Sequence, residues 1–134
     1  MIFVQSSEGH IQWLESQVGE MGRDAIGISA LMDDGVLAGV CGFDKWTEAS
    51  AHIHIALANK MCLKNYRFIY EVFNYAFNTA NKLTLIATIQ SDNKKSLSFT
   101  KHMGFKQLAV IQDGVKEGID IVILELRREF CTWI

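Results

Sequence analysis

A run of apolar and β-branched residues from Leu83 to Gln90 constrains the fold more than any other part of the chain. Apolar side chains occur at successive positions in this run, so both faces of a strand would be apolar. This pattern is typical of an interior strand that is covered on both sides. The chain is therefore expected to build a sheet in which other strands lie on either side of this one.

A short helix is predicted immediately after this strand. Ser91 or Asp92 can cap a helix that runs from about Asn93 to Met103. Gly104 suits the positive φ that commonly ends a helix, and Phe105 then returns the chain to the core. A strand that leads directly into a capped helix is typical of a sheet with helices packed against it.

The rest of the chain also alternates between strand and helix patterns. In order, we expect a strand at Ile2 to Gln5, a helix from a cap at Ser6 or Ser7 to Glu20 or Met21, and strands at Ala25 to Leu31 and Val36 to Phe43, joined by a turn at Asp33-Asp34-Gly35. These strands are followed by a polar loop at Asp44 to Ala49 and a strand at Ser50 to Ala58. Next come an irregular connection at Asn59 to Lys64 and a helix that is capped by Asn65 and ends near Asn81.

The C-terminal part is expected to form a hairpin and a packed tail. The hairpin strands are Lys106 to Gln112 and Ile119 to Arg127, connected by Asp113 to Gly118, and the tail carries Phe130, Trp133 and Ile134. The whole order predicts one α+β domain over residues 1–134, with a central mixed sheet flanked by about three helices.

The charge of the chain argues against several classes of partner. Its 134 residues carry 13 Lys and Arg against 15 Asp and Glu, which gives a formal net charge of −2. No stripe of basic residues compensates locally, so nucleic acid is not an expected partner. No window approaches the roughly 18 uninterrupted apolar residues of a spanning helix, so no membrane partner is expected either.

The three cysteines are Cys41, Cys62 and Cys131. Their odd number and the absence of C-x-x-C spacing predict neither a closed set of disulfides nor a zinc site. Cys41 and Cys62 are expected to pack in the core. The N-terminal residues show no basic region followed by an apolar run, as a secretory signal would. Together these features predict a reducing, cytoplasmic environment.

The segment LTLIATIQSDNKKSLSFTKHMGF resembles the second half of the GNAT N-acetyltransferase fold. Members of that superfamily carry, after a strand, an Asn, a small residue three positions later, and a helix that closes with Gly-Phe. Asn93, Ser96, Gly104 and Phe105 match these positions. The preceding helix, with FNYAF at Phe73 to Phe77, is similar to the central helix of the family. The resemblance covers roughly the C-terminal two-thirds of the chain and implies a GNAT acyl-CoA acyltransferase fold.

A narrower likeness is to small GNAT proteins encoded by bacteriophages and prophages. These share the Asn-to-Gly-Phe unit and an ending of basic, acidic, Cys and Trp residues, matched here by Arg128, Glu129, Cys131 and Trp133. The likeness implies a phage origin, a location in the host cytoplasm or the virion, and a phage or host protein among the partners. The likeness does not decide the oligomeric state, for which both a monomer and a homodimer are expected alternatives.

The resemblance also implies a binding site for acetyl-CoA as cosubstrate. In such a site one strand separates from its neighbour, and its free backbone edge binds the pantetheine arm like an added strand. Ile55, Ala56 and Leu57 would provide that edge, and the pyrophosphate would lie at the N-terminus of the next helix. The other residues implied for cofactor binding are Lys64, Asn65, Tyr66, Arg67, Asn93 and Ser96.

The chain departs from the family pattern in two places. The glycine-rich phosphate loop of the family would fall within Lys60 to Arg67, which contains no glycine. Thr100 stands where many members place the tyrosine that protonates the leaving thiolate, so it would take that catalytic position. His54, on the strand beside the acetyl site, is the candidate general base, with His52 second, since imidazole titrates in the useful range.

Functions of different classes remain open from the sequence. The first is transfer of an acetyl group from acetyl-CoA to a primary amine of a small molecule or a protein. The second is a catalytically inactive GNAT-fold protein that serves as a binding or virion-associated structural protein of a bacteriophage. Acetylation of aminoacyl-tRNA is a third, disfavoured by the acidic net charge.

Overall fold

The computed structural model describes residues 1–134, apart from the side chain of Leu63, and its centre is one seven-stranded sheet. The strands are β1 (Ile2–Gln5), β2 (Ile26–Leu31), β3 (Leu37–Asp44), β4 (Ser50–Leu57), β5 (Thr84–Gln90), β6 (Lys106–Lys116) and β7 (Ile119–Arg127). They lie in the order β1-β2-β3-β4-β5-β7-β6. Neighbours are antiparallel except β4 and β5, which are parallel. The predicted mixed sheet is confirmed.

The helices are α1 (Glu8–Val18), a short α2 (Met61–Lys64), α3 (Tyr66–Asn74) and α4 (Lys94–His102). After α3 the chain continues directly into a π-helical turn, Tyr75–Thr79. Ser7 caps α1 by accepting a hydrogen bond from the His10 amide, and Asn65 caps α3 by accepting one from the Arg67 amide. Both caps agree with the sequence prediction. No helix among the described residues is long and apolar enough to cross a membrane.

The helices divide between the two faces of the sheet. α1 packs on the face of β2, β3 and β4, where Leu14, Met21 and Val40 are buried together. α3 and α4 pack on the opposite face, over the larger core that contains Phe73, Phe77 and the two buried cysteines. Because side chains alternate along each strand, neighbouring residues of β4 belong to different sides of the molecule.

Three element boundaries differ from the prediction. α1 ends at Val18 instead of at Glu20 or Met21, because Gly19 takes a φ of +102°, which breaks the helical backbone. Asn93, and not Ser91 or Asp92, caps α4 by accepting a hydrogen bond from the Ser96 amide. The stretch from Asn59 to Lys64 is not irregular throughout, since it contains α2.

The hairpin and the loop before β4 also differ from the prediction. β6 extends to Lys116, because the irregular pairing after Ile111 lets the strand continue past Gln112. The Asp113 carboxylate accepts a hydrogen bond from Gly118 and so closes the shortened turn. Asp44 is the last residue of β3 and is buried, so it does not belong to the polar loop.

Burial of β5 and of the C-terminal tail is only partly as predicted. Leu85 and Ala87 of β5 are buried, whereas Thr88 on the other face is exposed, because α1 does not extend over β5. The prediction that both faces are covered is therefore wrong. In the tail, Trp133 packs onto the core, whereas Phe130 and Ile134 are 67% and 40% exposed.

Candidate active site

The parallel strands β4 and β5 pair over only a short distance. Ser50, Ala51 and His52 face Thr84, Leu85 and Ile86, and the pairing stops there. Beyond that point β4 pairs only with β3, and β5 pairs only with β7. Two parallel strands that part in this way leave a wedge-shaped gap with a free backbone edge on each side. The structure places Ile55, Ala56 and Leu57 on the β4 edge of this gap.

An apolar cleft lies between β4 and the helices α3 and α4 on the larger-core side of the gap. Its walls are Ile55, Leu57, Cys62, Phe68, Ile69, Val72, Phe73, Phe99 and Met103. The free volume of the cleft is about 10 Å³, which is near the space that one water molecule needs. A ligand arm of several atoms would therefore enter only if side chains such as Phe99 and Met103 moved.

The connection from β4 to α3 contains the segment in which the phosphate loop of the family would fall. Asn59 starts α2 by accepting a hydrogen bond from the Met61 amide at 2.9 Å. Asn65 then uses its side-chain oxygen on the Arg67 amide at 3.0 Å. One of the free N–H groups at the start of α3 is thus already bound within the protein. Lys64 is exposed at this end of the helix and supplies positive charge there.

Two side chains at the start of α3 point away from each other. The Arg67 guanidinium lies over the Phe3 ring, 5.8 Å from its centroid, and so extends toward β1. The Tyr66 ring stacks on Trp133, with 5.8 Å between centroids. Trp133 also donates its indole N–H to the Met103 carbonyl at 2.8 Å, which connects the start of α3 to the end of α4.

The residues of α4 that match the family pattern lie at its start and on its buried side. The Asn93 side-chain oxygen accepts the Ser96 amide at 3.2 Å, so this Asn acts as a capping residue. The Asn93 backbone N–H donates to the Gln90 carbonyl at 3.0 Å, the Asn93 side chain is exposed, and Ser96 is half-buried. Thr100 is buried, with 7% of its surface exposed, so its hydroxyl contacts protein more than solvent.

His54 lies two residues beyond His52, the last residue of β4 that pairs with β5. It faces Gly42 of β3 and belongs to the α1 side of the sheet. Its Nε2 is 2.8 Å from the Asp44 carboxylate, and its side chain is 26% exposed. A carboxylate can only accept, so Nε2 carries the proton of this bond. In the neutral ring Nδ1 is then the nitrogen that can take a proton.

Asp44 is held from a second direction. Its other carboxylate oxygen accepts the Gly22 amide at 2.9 Å, from the loop after α1. Burial would raise the pKa of Asp44, but the bonds from Gly22 and His54 outweigh it, so the pKa lies below its ordinary value. Asp44 is therefore a buried, ionised group that fixes the orientation of the His54 ring.

His52 is the neighbouring imidazole on the same face of β4. It faces Asp44 across the strand pair and is half-buried. Burial lowers the pKa of His52, and the positive charge of Lys45 lowers it further, although Asp44 raises it. His52 has no hydrogen bond to Asp44 among the described contacts, so His54 has the better-defined geometry.

The sequence alone did not identify Asp44 as part of the site. The signal that was present is the alternation of β3, in which Gly42 and Asp44 share a face, and the short β3–β4 hairpin that aligns this face with His52 and His54. Extending β3 by one residue past Phe43 would have placed the carboxylate beside the imidazoles.

Comparison with known proteins gives no match by sequence and clear matches by structure. No protein-family model and no curated protein sequence matches the chain. A variant of the spermidine N-acetyltransferase from Vibrio cholerae aligns with a TM-score of 0.76 at 12% identity, covering 95% of each chain. A GNAT-family acetyltransferase from Bacillus anthracis aligns with a TM-score of 0.63 at 19% identity, covering 79% of this chain and 67% of the other. The protein thus has the mixed-sheet fold of the GNAT N-acetyltransferases.

Proposed function

We propose that the protein transfers an acetyl group from acetyl-CoA to a primary amine, by direct attack while both substrates are bound. The observation that carries this proposal is the parting of β4 and β5 just beyond His52, with the Asp44–His54 pair at that point. Structures with this fold include N-acetyltransferases, which agrees with such a reaction.

The residues around the gap fit the amide-rich arm of acetyl-CoA in part. The backbone of Ile55 to Leu57 offers a free strand edge, to which amide groups can hydrogen-bond like an added strand. At the other end, Lys64, Asn65, Tyr66 and Arg67 would lie near the phosphates. Asn93 and Ser96, at the start of α4, would contact the arm from the opposite side.

When bound, acetyl-CoA supplies an acetyl thioester at the point where the strands part. His54 would accept a proton from the acceptor amine at Nδ1, while Asp44 holds Nε2–H and stabilises the imidazolium that forms. The amine nitrogen forms a bond to the acetyl carbon, and the bond between that carbon and sulfur breaks. The leaving thiolate would then take up a proton, and Thr100 is the hydroxyl that the family resemblance puts in the position of the proton donor.

The test combines binding with turnover. Acetyl-CoA is titrated into the protein by calorimetry, and thiol release is then followed with a panel of primary amines. We expect binding at or below about 1 mM and thiol release with at least one amine. No heat of binding at millimolar acetyl-CoA, from protein that unfolds cooperatively, would contradict the proposal.

His52→Gln and His54→Gln form a matched pair of variants that tests the base. Loss of a general base lowers kcat by roughly 100-fold or more. We therefore expect H54Q to lower kcat by at least this factor and H52Q to keep most of the wild-type kcat. Equal effects of the two variants would argue against the role of His54.

A second candidate function is a binding protein that has kept this fold without catalysis. The narrow cleft of about 10 Å³ and the connection from β4 to α3 without a glycine favour it. It includes the binding or virion-associated role in a bacteriophage that the sequence resemblance implies. A well-folded protein that shows no affinity for acetyl-CoA in the same calorimetric titration would favour this candidate over the first.

A further inference from the structure

A second cavity lies on the face of the sheet opposite to His54. It is formed between β1 and β2 on one side and the end of α3 on the other, and its volume is about 320 Å³. This volume is within the range of small-molecule sites. Phe3, Ile26 and Ile28 line it from the sheet, and all three are half-buried. The sheet separates this cavity from His54.

The helix that forms the other wall of the cavity is irregular at this place. α3 gives way to the π-helical turn Tyr75–Thr79, in which the Ala80 amide bonds to the Tyr75 carbonyl at 2.8 Å. Such a turn holds one residue more than the α-helical form, and it frequently occurs at functional sites. Tyr75 and Thr79, the two ends of the turn, both line the cavity. The irregular turn therefore shapes the cavity wall.

The charge of the cavity is set by Glu71. Among the described residues that line the cavity, Glu71 carries the only charged side chain, and it is half-buried. The ion pairs formed by the described side chains do not include it. Arg67, one turn earlier on α3, places its guanidinium over the Phe3 ring instead. A half-buried carboxylate without an ion-pair partner favours a cationic ligand.

The remaining groups limit the class of cation. Phe3 and Ile28 offer an apolar surface, and Tyr75, whose ring also packs against Phe43 and Trp46, adds an aromatic side chain to the wall. Asn74 adds an amide beside Glu71. We propose that this cavity binds a small organic ammonium ion, with its charged end at Glu71 and its apolar part against Phe3 and Ile28. A hydrated metal ion would leave the apolar surface uncovered, so an alkylammonium ion is the better match.

Chemical-shift mapping of the amide signals tests the proposal, with n-hexylammonium as the probe and no acetyl-CoA present. n-Hexanol is the neutral control of the same chain length. We expect saturable shifts at the amides of Gln5, Ile28, Asn74 and Thr79, with a dissociation constant on the order of 1 mM. Hexanol should bind about fivefold more weakly, because it lacks the charge that faces Glu71.

Two variants separate the contribution of Glu71 from general effects of charge. Glu71→Gln should remove the preference for hexylammonium over hexanol. Glu117→Gln, in the exposed turn between β6 and β7, changes the net charge equally and should leave the preference intact. The proposal is overturned if no saturable shift occurs, if both probes bind equally to the wild type, or if the shifts map to the amides around His54. Since the measurement is binding without cosubstrate, its outcome does not depend on acetyl transfer.

Discussion

The carboxylate of Asp44 lies 2.8 Å from Nε2 of His54, and it joins the end of β3 to the point where β4 leaves β5. The Gly22 amide donates a hydrogen bond to the other oxygen of this carboxylate, so the loop after α1 is also connected to Asp44. One buried residue therefore connects three segments that are distant in sequence. This connection predicts that Asp44 contributes to stability as well as to the proposed site.

Replacement of Asp44 by Asn should destabilise the protein in a pH-dependent way. The pKa of Asp44 is lowered in the folded protein from an ordinary value of 3.8. Its ionised form therefore contributes stability that is fully present above about pH 4 and is lost as the pH falls through the folded-state pKa. Near neutral pH, D44N should lower the free energy of unfolding by about 2 kcal/mol, because hydrogen bonds to a charged group are weakened.

Urea unfolding of the wild type and D44N between pH 7 and pH 3 measures this effect. The difference between the two proteins should be constant at neutral pH and should shrink below about pH 4. A difference that is the same at pH 7 and pH 3 would show that the ionised carboxylate is not the source of the stability.

Trp133 should stabilise the contact between α3 and α4. Its ring stacks on Tyr66, and its indole N–H donates to the Met103 carbonyl. Trp133→Ala removes both interactions and should cost about 2 to 3 kcal/mol, because the indole is only partly buried. Trp133→Phe keeps an aromatic ring and loses the hydrogen bond, so it should cost about 1 kcal/mol.

The measurement for these two variants is again urea unfolding, with the exposed Phe130 replaced by Ala as the control. Phe130 is in the same tail but is 67% exposed, so F130A should change stability by less than about 0.5 kcal/mol. If W133A were no more destabilising than F130A, the tail would not hold the helices together.

Two glycines of the chain should respond to alanine in opposite directions. A Cβ at Gly42 would lie 2.6 Å from Leu14 Cδ2 and 2.8 Å from Met21 Cε, so Gly42→Ala should cost about 1 to 3 kcal/mol by overpacking. A Cβ at Gly9 would meet only Ser7 Oγ, at 3.8 Å. Because alanine favours a helix over glycine, Gly9→Ala should stabilise α1 by about 0.5 to 1 kcal/mol.

Thermal unfolding of the two alanine variants provides the comparison. Gly42 faces His54 across the strands, so G42A also tests whether α1 must fit closely over the Asp44–His54 pair. A G42A protein as stable as the wild type would show that Leu14 and Met21 can move aside without loss. A G9A protein that is less stable would show that Gly9 has a role beyond the backbone of α1.

Much of the fold could be predicted because its signals are local. The Asn65 cap acts on an amide two residues away, and Gly104, with a φ of +105°, lies two residues past the end of α4, so neither feature depends on distant contacts. The predicted end of α1 lies too far along the chain because Val18 continues the apolar spacing of the helix. The backbone conformation of Gly19 ends the helix directly after Val18. The prediction that both faces of β5 are buried fails because the apolar pattern of a strand does not show how far the helix on each face extends.

The sequence by itself determined the order of strands and helices and the caps that begin α1 and α3, because these features arise from side chains within a few residues of each other. His52 and His54 lie on one face of β4 because side chains alternate along any strand. Only the tertiary structure decided where β4 parts from β5, and that Asp44 meets His54 there. Alternation assigns Asp44 and the imidazoles to faces of their own strands, but the register between the strands and the position of the Gly22 loop, which bring these groups together, are not set by residues that are close in sequence.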